Sequence, residues 1–306
     1  MAVNSRTKII LRASWIAIVG NAVLSVLKII VGILSGSIAV LADGVDSASD
    51  IITSLITLIT AHIISRPPDP KYAYGYGKAD TVATKVLSFI IFFAGAQLAL
   101  STIDTLINPV ERDMPGSIAV YVIIISIVGK YALSWYLHKT GKKIDSSMLM
   151  ANARNMQNDV VISISVLLGL VFTFWFEMPI IDVITACMVS FYLMYVAFKI
   201  FMDSNRDLMD GINDTDIYKK IIDSAKSVEG ANNPHRIRVR KMANLYLIAL
   251  DLEVDGNICL TEAHNIGMKV EEKIKENINN IYDVLIHIEP LGSQEDEVYG
   301  VSEQDL

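Results

Sequence analysis

Long apolar runs fill the first two thirds of the chain, and polar residues become frequent only after about residue 205. A helix needs about 20 mostly apolar residues to cross a bilayer, and the pattern predicts six such helices. They cover residues 11–34, 37–64, 82–107, 116–138, 146–174 and 178–202. The first run is too long for the apolar region of a signal peptide, so we expect it to be a membrane span. The predicted architecture of residues 1–205 is therefore a membrane α-helical bundle.

Residues 206–290 follow a different pattern, which predicts a small soluble α+β domain. Helical periodicity alternates there with runs in which every second residue is apolar. The predicted order is helix, strand, strand, helix, strand, over Asp214–Val228, His235–Lys241, Leu245–Asp255, Thr261–Asn277 and Tyr282–Glu289. Residues 291–306 are rich in acids, and we expect them to form a disordered tail.

Composition agrees with a membrane protein and excludes other classes. Hydrophobic residues make up 52% of the chain and charged residues 19%, which is too apolar for an ordinary soluble domain. The net charge of −7 argues against nucleic acid as a partner. Two cysteines, Cys187 and Cys259, are too few for a disulfide framework or a thiolate zinc site.

Lysine and arginine positions predict the orientation in the membrane. They lie in the N-terminal segment and in the connections after the second and fourth helices: Arg6, Lys8, Arg12, Arg66, Lys71, Lys78, Lys139, Lys142 and Lys143. On the other side of the membrane, residues 35–37 are uncharged, and the turn between the fifth and sixth helices carries only Glu177. Because basic connections stay in the cytoplasm, we expect both termini and the soluble domain to be cytoplasmic. The expected location is the plasma membrane, with the lipid bilayer as a partner.

Acidic residues inside the apolar runs are the candidate functional residues. Charges at this depth are costly and usually mark a pathway. Asp46 and Asp50 lie four residues apart in the second helix, and Asn155 and Asp159 repeat that spacing in the fifth. Residues four apart share one helix face. If the two helices pack together, three carboxylates and one amide surround a single point, where a divalent cation and a proton would balance the charge.

Other polar residues of the helices leave several interpretations open. Asp43 is a candidate ligand, an acceptor behind the ligands or an entrance charge. Lys28, Lys85 and Lys130 are expected to snorkel or to pair locally, with Lys28 as a candidate counter-ion. Asp182 is expected at the outer interface. The alternative for all these groups is interhelical hydrogen bonding without a metal.

The two i, i+4 motifs resemble those of the cation diffusion facilitator family. The resemblance is carried by Asp46-Ser-Ala-Ser-Asp50 and Asn155-Met-Gln-Asn-Asp159, with support from Gly36–Asp43 and from the loop Tyr74–Asp80. Members are proton-coupled divalent-metal exporters with six transmembrane helices and a cytoplasmic ferredoxin-like, metallochaperone-like domain that dimerises. The resemblance implies a homodimeric secondary transporter rather than an enzyme, with protons as counter-substrate. The divalent metal would be substrate and regulator, and no organic cofactor is expected.

The resemblance also bears on the metal. Zinc-transporting members have histidine where this chain has Asn155, so the chain matches the manganese- and iron-type branch. Oxygen ligands suit Mn²⁺ better than imidazole does. We therefore expect Mn²⁺ first and Fe²⁺ second, with Zn²⁺ and Co²⁺ left open. In the loop after the second helix, Asp69 matches a zinc ligand of the family. Tyr72 and Tyr76 replace the accompanying histidines, so that loop site should be weak or absent.

In the soluble domain, five residues fall where zinc members place cytosolic ligands: His235, Asp251, His264, His287 and Glu289. The alternative is an ordinary solvated sheet face. Lys78 and Asp210 resemble an inter-subunit charge lock of the family, and the alternative is a screened surface ion pair.

Two other functions remain in view. The first is a metal-gated channel or a membrane metal sensor that does not pump. The second is an intramembrane aspartyl protease, whose acid dyad would share a proton. The Gly-x-Gly-Asp signature of such proteases is missing from this sequence.

Overall fold

The computed structural model describes residues 2–64, 66–108, 113–143, 147–212, 214–242, 245–293 and 299–306. The six predicted membrane helices are all present. They are α1 (Ala2–Ser35), α2 (Ile38–Ile64), α3 (Ala79–Ile107), α4 (Ile118–Lys143), α5 (Ser147–Phe176) and α6 (Ile180–Leu208). Within the described residues, all of them except α2 are long and apolar enough to cross a membrane. The α2 helix has 27 residues and carries the three acids of the second predicted span.

The chain divides into two compact units. The helical unit comprises Met1–His62 and Ala83–Phe201, and the second unit comprises Ile63–Val82 and Met202–Leu306. The connection between α2 and α3 therefore groups with the soluble part of the chain rather than with the helices.

Large apolar side chains cover the outside of the helical unit. Exposed examples from five helices are Val23, Phe93, Tyr121, Trp175 and Tyr195. Such a surface is unfavourable in water and favourable in a bilayer, where backbone polar groups are satisfied inside each helix. The exposed apolar belt therefore supports the membrane interpretation of the sequence.

Small residues bring α1 and α2 close together. A Cβ atom added at Gly32 would lie 2.7 Å from the backbone nitrogen of Leu41, and one at Gly44 would lie 2.8 Å from Ile29 Cγ1. The hydroxyl of Ser25 also donates a hydrogen bond to the Gly44 carbonyl, at 3.0 Å. Close backbone approach at small residues is typical of membrane helix pairs. It places the side chain of Lys28 directly against α2.

Asp182 of α6 is buried against the start of α2. Its expected place at the outer interface of the membrane stays a prediction. Its carboxylate accepts hydrogen bonds from the Ser37 hydroxyl at 2.6 Å and from the Ile38 backbone N–H at 2.8 Å. The first N–H groups of a helix have no partner within the helix, and a carboxylate there is stabilised by the helix dipole. This acid of α6 therefore caps α2.

The second unit has the predicted α+β order. It consists of α7 (Asp216–Lys226), β1 (Asn232–Met242), β2 (Leu245–Val254), α8 (Leu260–Asn277) and β3 (Ile281–Pro290). The sheet order is β1-β2-β3, with β1 and β2 antiparallel and β2 and β3 parallel. Ile221 of α7, Leu250 of β2 and Val270 of α8 share one buried core, so both helices pack against the sheet.

The expectation of a disordered tail is wrong for residues 299–306. Ile237 and Val301 exchange two backbone hydrogen bonds of 3.0 Å, so the tail adds a short bridge beside β1. The guanidinium of Arg236 lies over the ring of Tyr299, 5.5 Å from its centroid. Lys226 forms an ion pair with Glu303. These contacts give the tail a docking place, which its acidic composition alone does not predict. Residues 294–298 lie outside the described part of the chain.

Candidate metal transport site

The acids of α2 and α5 meet around a lysine of α4. The ammonium nitrogen of Lys130 lies 3.0 Å from Asp159 Oδ2 and 3.8 Å from Asp50 Oδ2. Asp46 lies within electrostatic range of both Asp159 and Lys130. The Lys130 side chain is wholly buried, whereas that of Asp50 is 28% exposed. The structure thus brings together three of the four predicted transport ligands and adds a cation that the sequence analysis had not placed there.

Two carboxylate oxygens at this site lack hydrogen-bond donors among the described residues. Within the described part of the chain, neither Asp46 Oδ2 nor Asp50 Oδ2 has a hydrogen-bond partner, and both atoms are buried. A buried anionic oxygen without a donor is costly, and a bound cation would remove that cost. The unsatisfied oxygens therefore fit a site whose occupant is a metal ion.

Asn155, the fourth predicted ligand, is placed differently. It lies one helical turn before Asp159 on α5, and its side chain is exposed. Among the described contacts, none joins its amide to the three acids. Its role as a ligand stays a prediction from the motif.

Asp43 belongs to a separate and closed network. Its carboxylate lies 2.7 Å from the ammonium of Lys28, and both side chains are wholly buried. The Ser163 hydroxyl of α5 lies 3.0 Å from both Asp43 oxygens. Lys28 also donates to Ser47 at 3.2 Å. The charge of Asp43 is therefore already balanced, and of its three candidate roles the contacts favour an acceptor behind the ligands.

A sequence signal for Lys130 does exist. Ser126, Lys130 and Ser134 recur at intervals of four in the apolar α4 helix, and all three are buried. Polar residues on one face of a membrane helix point to the interior of the bundle. The spacing could have placed Lys130 inside, but it could not have identified the facing acids.

A second cluster of ligand-type residues lies in the soluble unit. His235 of β1, Asp251 of β2 and Glu289 of β3 are buried, and one ligand atom from each lies within 4.8 Å of the others. The sheet register explains the grouping, since His235 pairs with Asp251, and Glu289 pairs with Glu253 two residues beyond Asp251. Three of the five predicted cytosolic ligands thus converge.

The cluster is held by charged and polar neighbours. Asp251 forms ion pairs with Arg236 at 2.9 Å and with Arg238 at 3.2 Å. His235 Nδ1 lies 2.7 Å from the carbonyl oxygen of Asn233. Because a carbonyl only accepts, Nδ1 carries the hydrogen, and in the neutral ring the lone pair then lies on Nε2. That atom is 3.7 Å from Glu289 Oε2. A metal at this cluster would compete with the two arginines for Asp251.

The other two predicted cytosolic ligands lie outside this group. His264 is exposed on α8. His287 is exposed on β3, with its Nε2 3.5 Å from Glu289 Oε1. Neither belongs to the converging set found among the described residues.

The α2–α3 connection holds Asp69 in a hydrogen-bonded turn. Its carboxylate accepts from the Tyr76 hydroxyl at 2.5 Å and from the backbone N–H groups of Lys71 and Tyr72. The Tyr76 hydroxyl is the main reason that the pKa of Asp69 is lowered. These donors satisfy the carboxylate of Asp69 without a metal ion.

Lys78 and Asp210 form an ion pair within a single chain. The lysine nitrogen lies 2.5 Å from Asp210 Oδ1, and Arg240 Nε lies 2.8 Å from Asp210 Oδ2. Asp210 is thus held by two cations of its own chain, where the resemblance had implied a contact between subunits.

Two family models match this chain over most of its length. One, described as the cation efflux transmembrane domain, matches residues 14–209. The other, described as the cytoplasmic domain of cation efflux proteins, matches residues 213–291. The chain belongs to the cation efflux family. It is therefore an integral membrane protein of a transporter family, as the resemblance to cation diffusion facilitators implied.

Two relatives match nearly the whole chain, and one solved domain matches part of it. The manganese efflux system protein MneS of Bacillus subtilis (strain 168) is 30% identical over 278 residues, which is 90% of this chain and 94% of that protein. The cation-efflux pump FieF of Citrobacter koseri is 28% identical over 283 residues, 92% of this chain and 93% of the pump. A solved metal-bound C-terminal domain of the CzcD transporter from Thermotoga maritima is 36% identical, covers 26% of this chain and 93% of the solved chain, and has a TM-score of 0.26.

Proposed function

We propose that this protein exports divalent metal cations from the cytoplasm by alternating access, with protons as the counter-substrate. Mn²⁺ is the favoured substrate, Fe²⁺ the second, and Zn²⁺ and Co²⁺ remain candidates. The observation that carries the proposal is the group of three acids from α2 and α5 around a buried lysine inside an apolar helical unit.

The ligand chemistry supports the preference for Mn²⁺. Asp46, Asp50 and Asp159 offer only oxygen atoms, and Asn155 of the same motif offers an amide oxygen. Carboxylate and carbonyl oxygens suit harder divalent cations, whereas imidazole and thiolate suit Zn²⁺. The name of the MneS relative, a manganese efflux protein, points the same way.

Charge balance supports the coupling to protons. Three aspartates and Lys130 carry a formal charge of about −2, which one divalent cation neutralises. When the metal leaves toward the outside, clustered carboxylates in an apolar bundle gain by binding protons instead. Protons entering from that side would then accompany the return of the empty site.

Assembly and topology complete the proposal. The protein would act as a homodimer in the plasma membrane, with both termini in the cytoplasm, because the basic connections lie on that side. The cluster of His235, Asp251 and Glu289 would bind cytosolic metal and regulate transport.

Transport by reconstituted protein tests the function. Inside-out vesicles containing the wild type should accumulate Mn²⁺ against its gradient when a proton gradient is imposed, and much less when it is collapsed. Asp50→Ala should abolish this uptake. Asp104→Ala should not, because Asp104 is an exposed acid at the end of α3 that bonds to Asn108.

The alternatives give different results in the same assay. A channel would equilibrate Mn²⁺ without concentrating it and would ignore the proton gradient. A sensor would bind Mn²⁺ without moving it. Either outcome would reject the antiporter. Parallel measurements with Fe²⁺, Zn²⁺ and Co²⁺ would establish the order of preference.

A further inference from the structure

Lys130 is a buried cation whose partners are the transport acids themselves. Its ammonium donates to Asp159 Oδ2 at 3.0 Å and lies 3.8 Å from Asp50 Oδ2. A charge inside a membrane bundle is costly unless it is paired. The lysine and the acids therefore stabilise one another in the absence of a metal.

The other buried lysine of the helical unit behaves differently. Lys28 meets Asp43 in a network that two serine hydroxyls complete, and Asp43 accepts from one of them. Around Lys130, by contrast, Asp46 Oδ2 and Asp50 Oδ2 are left without hydrogen-bond donors in the described part of the chain. The Lys28 network is closed, whereas the Lys130 group can still accept another cation.

A divalent ion would hold the carboxylate oxygens more tightly than the Lys130 ammonium does. Carboxylate oxygens bound at about 2.0–2.2 Å to one divalent ion lie within about 4.4 Å of each other. Among the described residues, only the cytoplasmic cluster brings three histidine, cysteine or carboxylate ligand atoms within 4.8 Å. The Lys130 ammonium lies 3.0 Å from Asp159 Oδ2 and 3.8 Å from Asp50 Oδ2, and both distances are longer than a metal–oxygen bond.

We propose that the Lys130 ammonium is a tethered competitor of the transported cation. It occupies the metal-free site, and a divalent metal binds by displacing it from Asp159 and Asp50. When the metal leaves, the ammonium returns and hastens release. This inference rests on the proposed function. It makes Lys130 a positioning residue whose ammonium lowers the affinity for the metal and raises the rate of turnover.

The competitor can be removed by neutral substitutions of similar length. Lys130→Met and Lys130→Gln should bind Mn²⁺ at least 10-fold more tightly than the wild type, because no ammonium has to be displaced. In proteoliposomes both should show a lower KM and a lower kcat, since release is slower. Lys130→Arg keeps the charge and should stay within about threefold of the wild-type affinity. Each tenfold change in affinity corresponds to about 1.4 kcal/mol.

Binding should be measured on the purified full-length protein by equilibrium dialysis. The Mn²⁺ bound at the transport site is the part of the binding that is lost when Asp50→Asn is added to each variant. This subtraction separates it from Mn²⁺ bound at the cytoplasmic cluster. Lys85→Met is the matched control, because Lys85 is a lysine of α3 whose ammonium lies over the ring of Phe201. Its affinity for Mn²⁺ should equal that of the wild type.

Equal or weaker Mn²⁺ binding by both neutral variants would overturn the proposal, since a lysine that only supports the fold would give that result. A second measurement uses the wild-type protein and an acylating reagent, with labelling of Lys130 monitored by peptide mass spectrometry. Mn²⁺ should speed this labelling, because it displaces the lysine from the acids. An unchanged labelling rate would also refute displacement. A wild type that binds Mn²⁺ but does not transport it would overturn the proposed function alone, and the binding comparison would still decide the role of the lysine.

Discussion

Replacing Lys28 with methionine should destabilise the helical unit by about 3–5 kcal/mol, because Asp43 would become an uncompensated buried charge. The two side chains are wholly buried, and their charged atoms are 2.7 Å apart. The Ser163 hydroxyl would remain beside Asp43, but a neutral donor cannot replace an ammonium. Because 1 kcal/mol shifts the melting temperature of a domain of this size by about 2–4 °C, the Tm should fall by about 6–20 °C.

Removing both charges should restore most of the loss. A buried ion pair replaced by apolar residues of similar volume is often neutral or stabilising. The double variant Lys28→Met/Asp43→Leu should therefore melt within a few degrees of the wild type. It should also keep its transport-site affinity for Mn²⁺, because the contacts place Asp43 behind the ligands and not among them.

Thermal unfolding of the full-length protein in detergent, combined with Mn²⁺ binding, checks both expectations. Lys85→Met is the matched single lysine replacement, since the ammonium of Lys85 lies over the ring of Phe201. A Tm of Lys28→Met equal to that of the control would refute the energetic reasoning. Loss of transport-site binding in a well-folded double variant would show instead that Asp43 is a ligand.

Three further predictions follow from other parts of the chain. Asn155→His adds a group that titrates near neutral pH, so the inhibition of transport by acid should move to higher pH; an unchanged pH profile would contradict the oxygen-only site. His235→Ala should abolish the cytosolic component of Mn²⁺ binding while the component lost with Asp50→Asn persists, as seen by equilibrium dialysis; retention of both would reject the cluster as a metal site. Gly32→Ala should lower the Tm more than Gly129→Ala, because the new methyl group meets backbone atoms in the first case and a flexible leucine side chain in the second; equal melting would argue against the tight α1–α2 contact.

The sequence predicted the elements well because their patterns are local. Six apolar runs, the alternation of β1 and β2, and the i, i+4 acids of α2 and α5 can each be recognised within about 20 residues. The grouping of Asp46, Asp50 and Asp159 needed one further step, namely the assumption that the two helices pack together. The structure supplies that contact through the shared lysine of α4.

The partners of buried charges were not predictable in the same way. Lys130 lies 29 residues from Asp159, and the Asp182 carboxylate meets Ile38 across 144 residues. No local pattern encodes such distances, because they depend on how whole helices pack. The prediction of a disordered tail failed for a different reason. An acidic composition is typical of disorder, yet a few specific contacts to β1 hold residues 299–306.

The buried network of Lys28, Asp43 and Ser163 also limits where the transport site can change shape. Ser163 lies one turn beyond Asp159 on α5, and its bond to Asp43 ties α5 to the N-terminal half of α2. That side of the site is fixed by satisfied charges. Asp50 lies on the other side, where its side chain is 28% exposed and one carboxylate oxygen has no donor among the described residues. Exchange of an ammonium for a metal ion must therefore be accommodated by movement around Asp50, so that end of the site should open first to an entering cation.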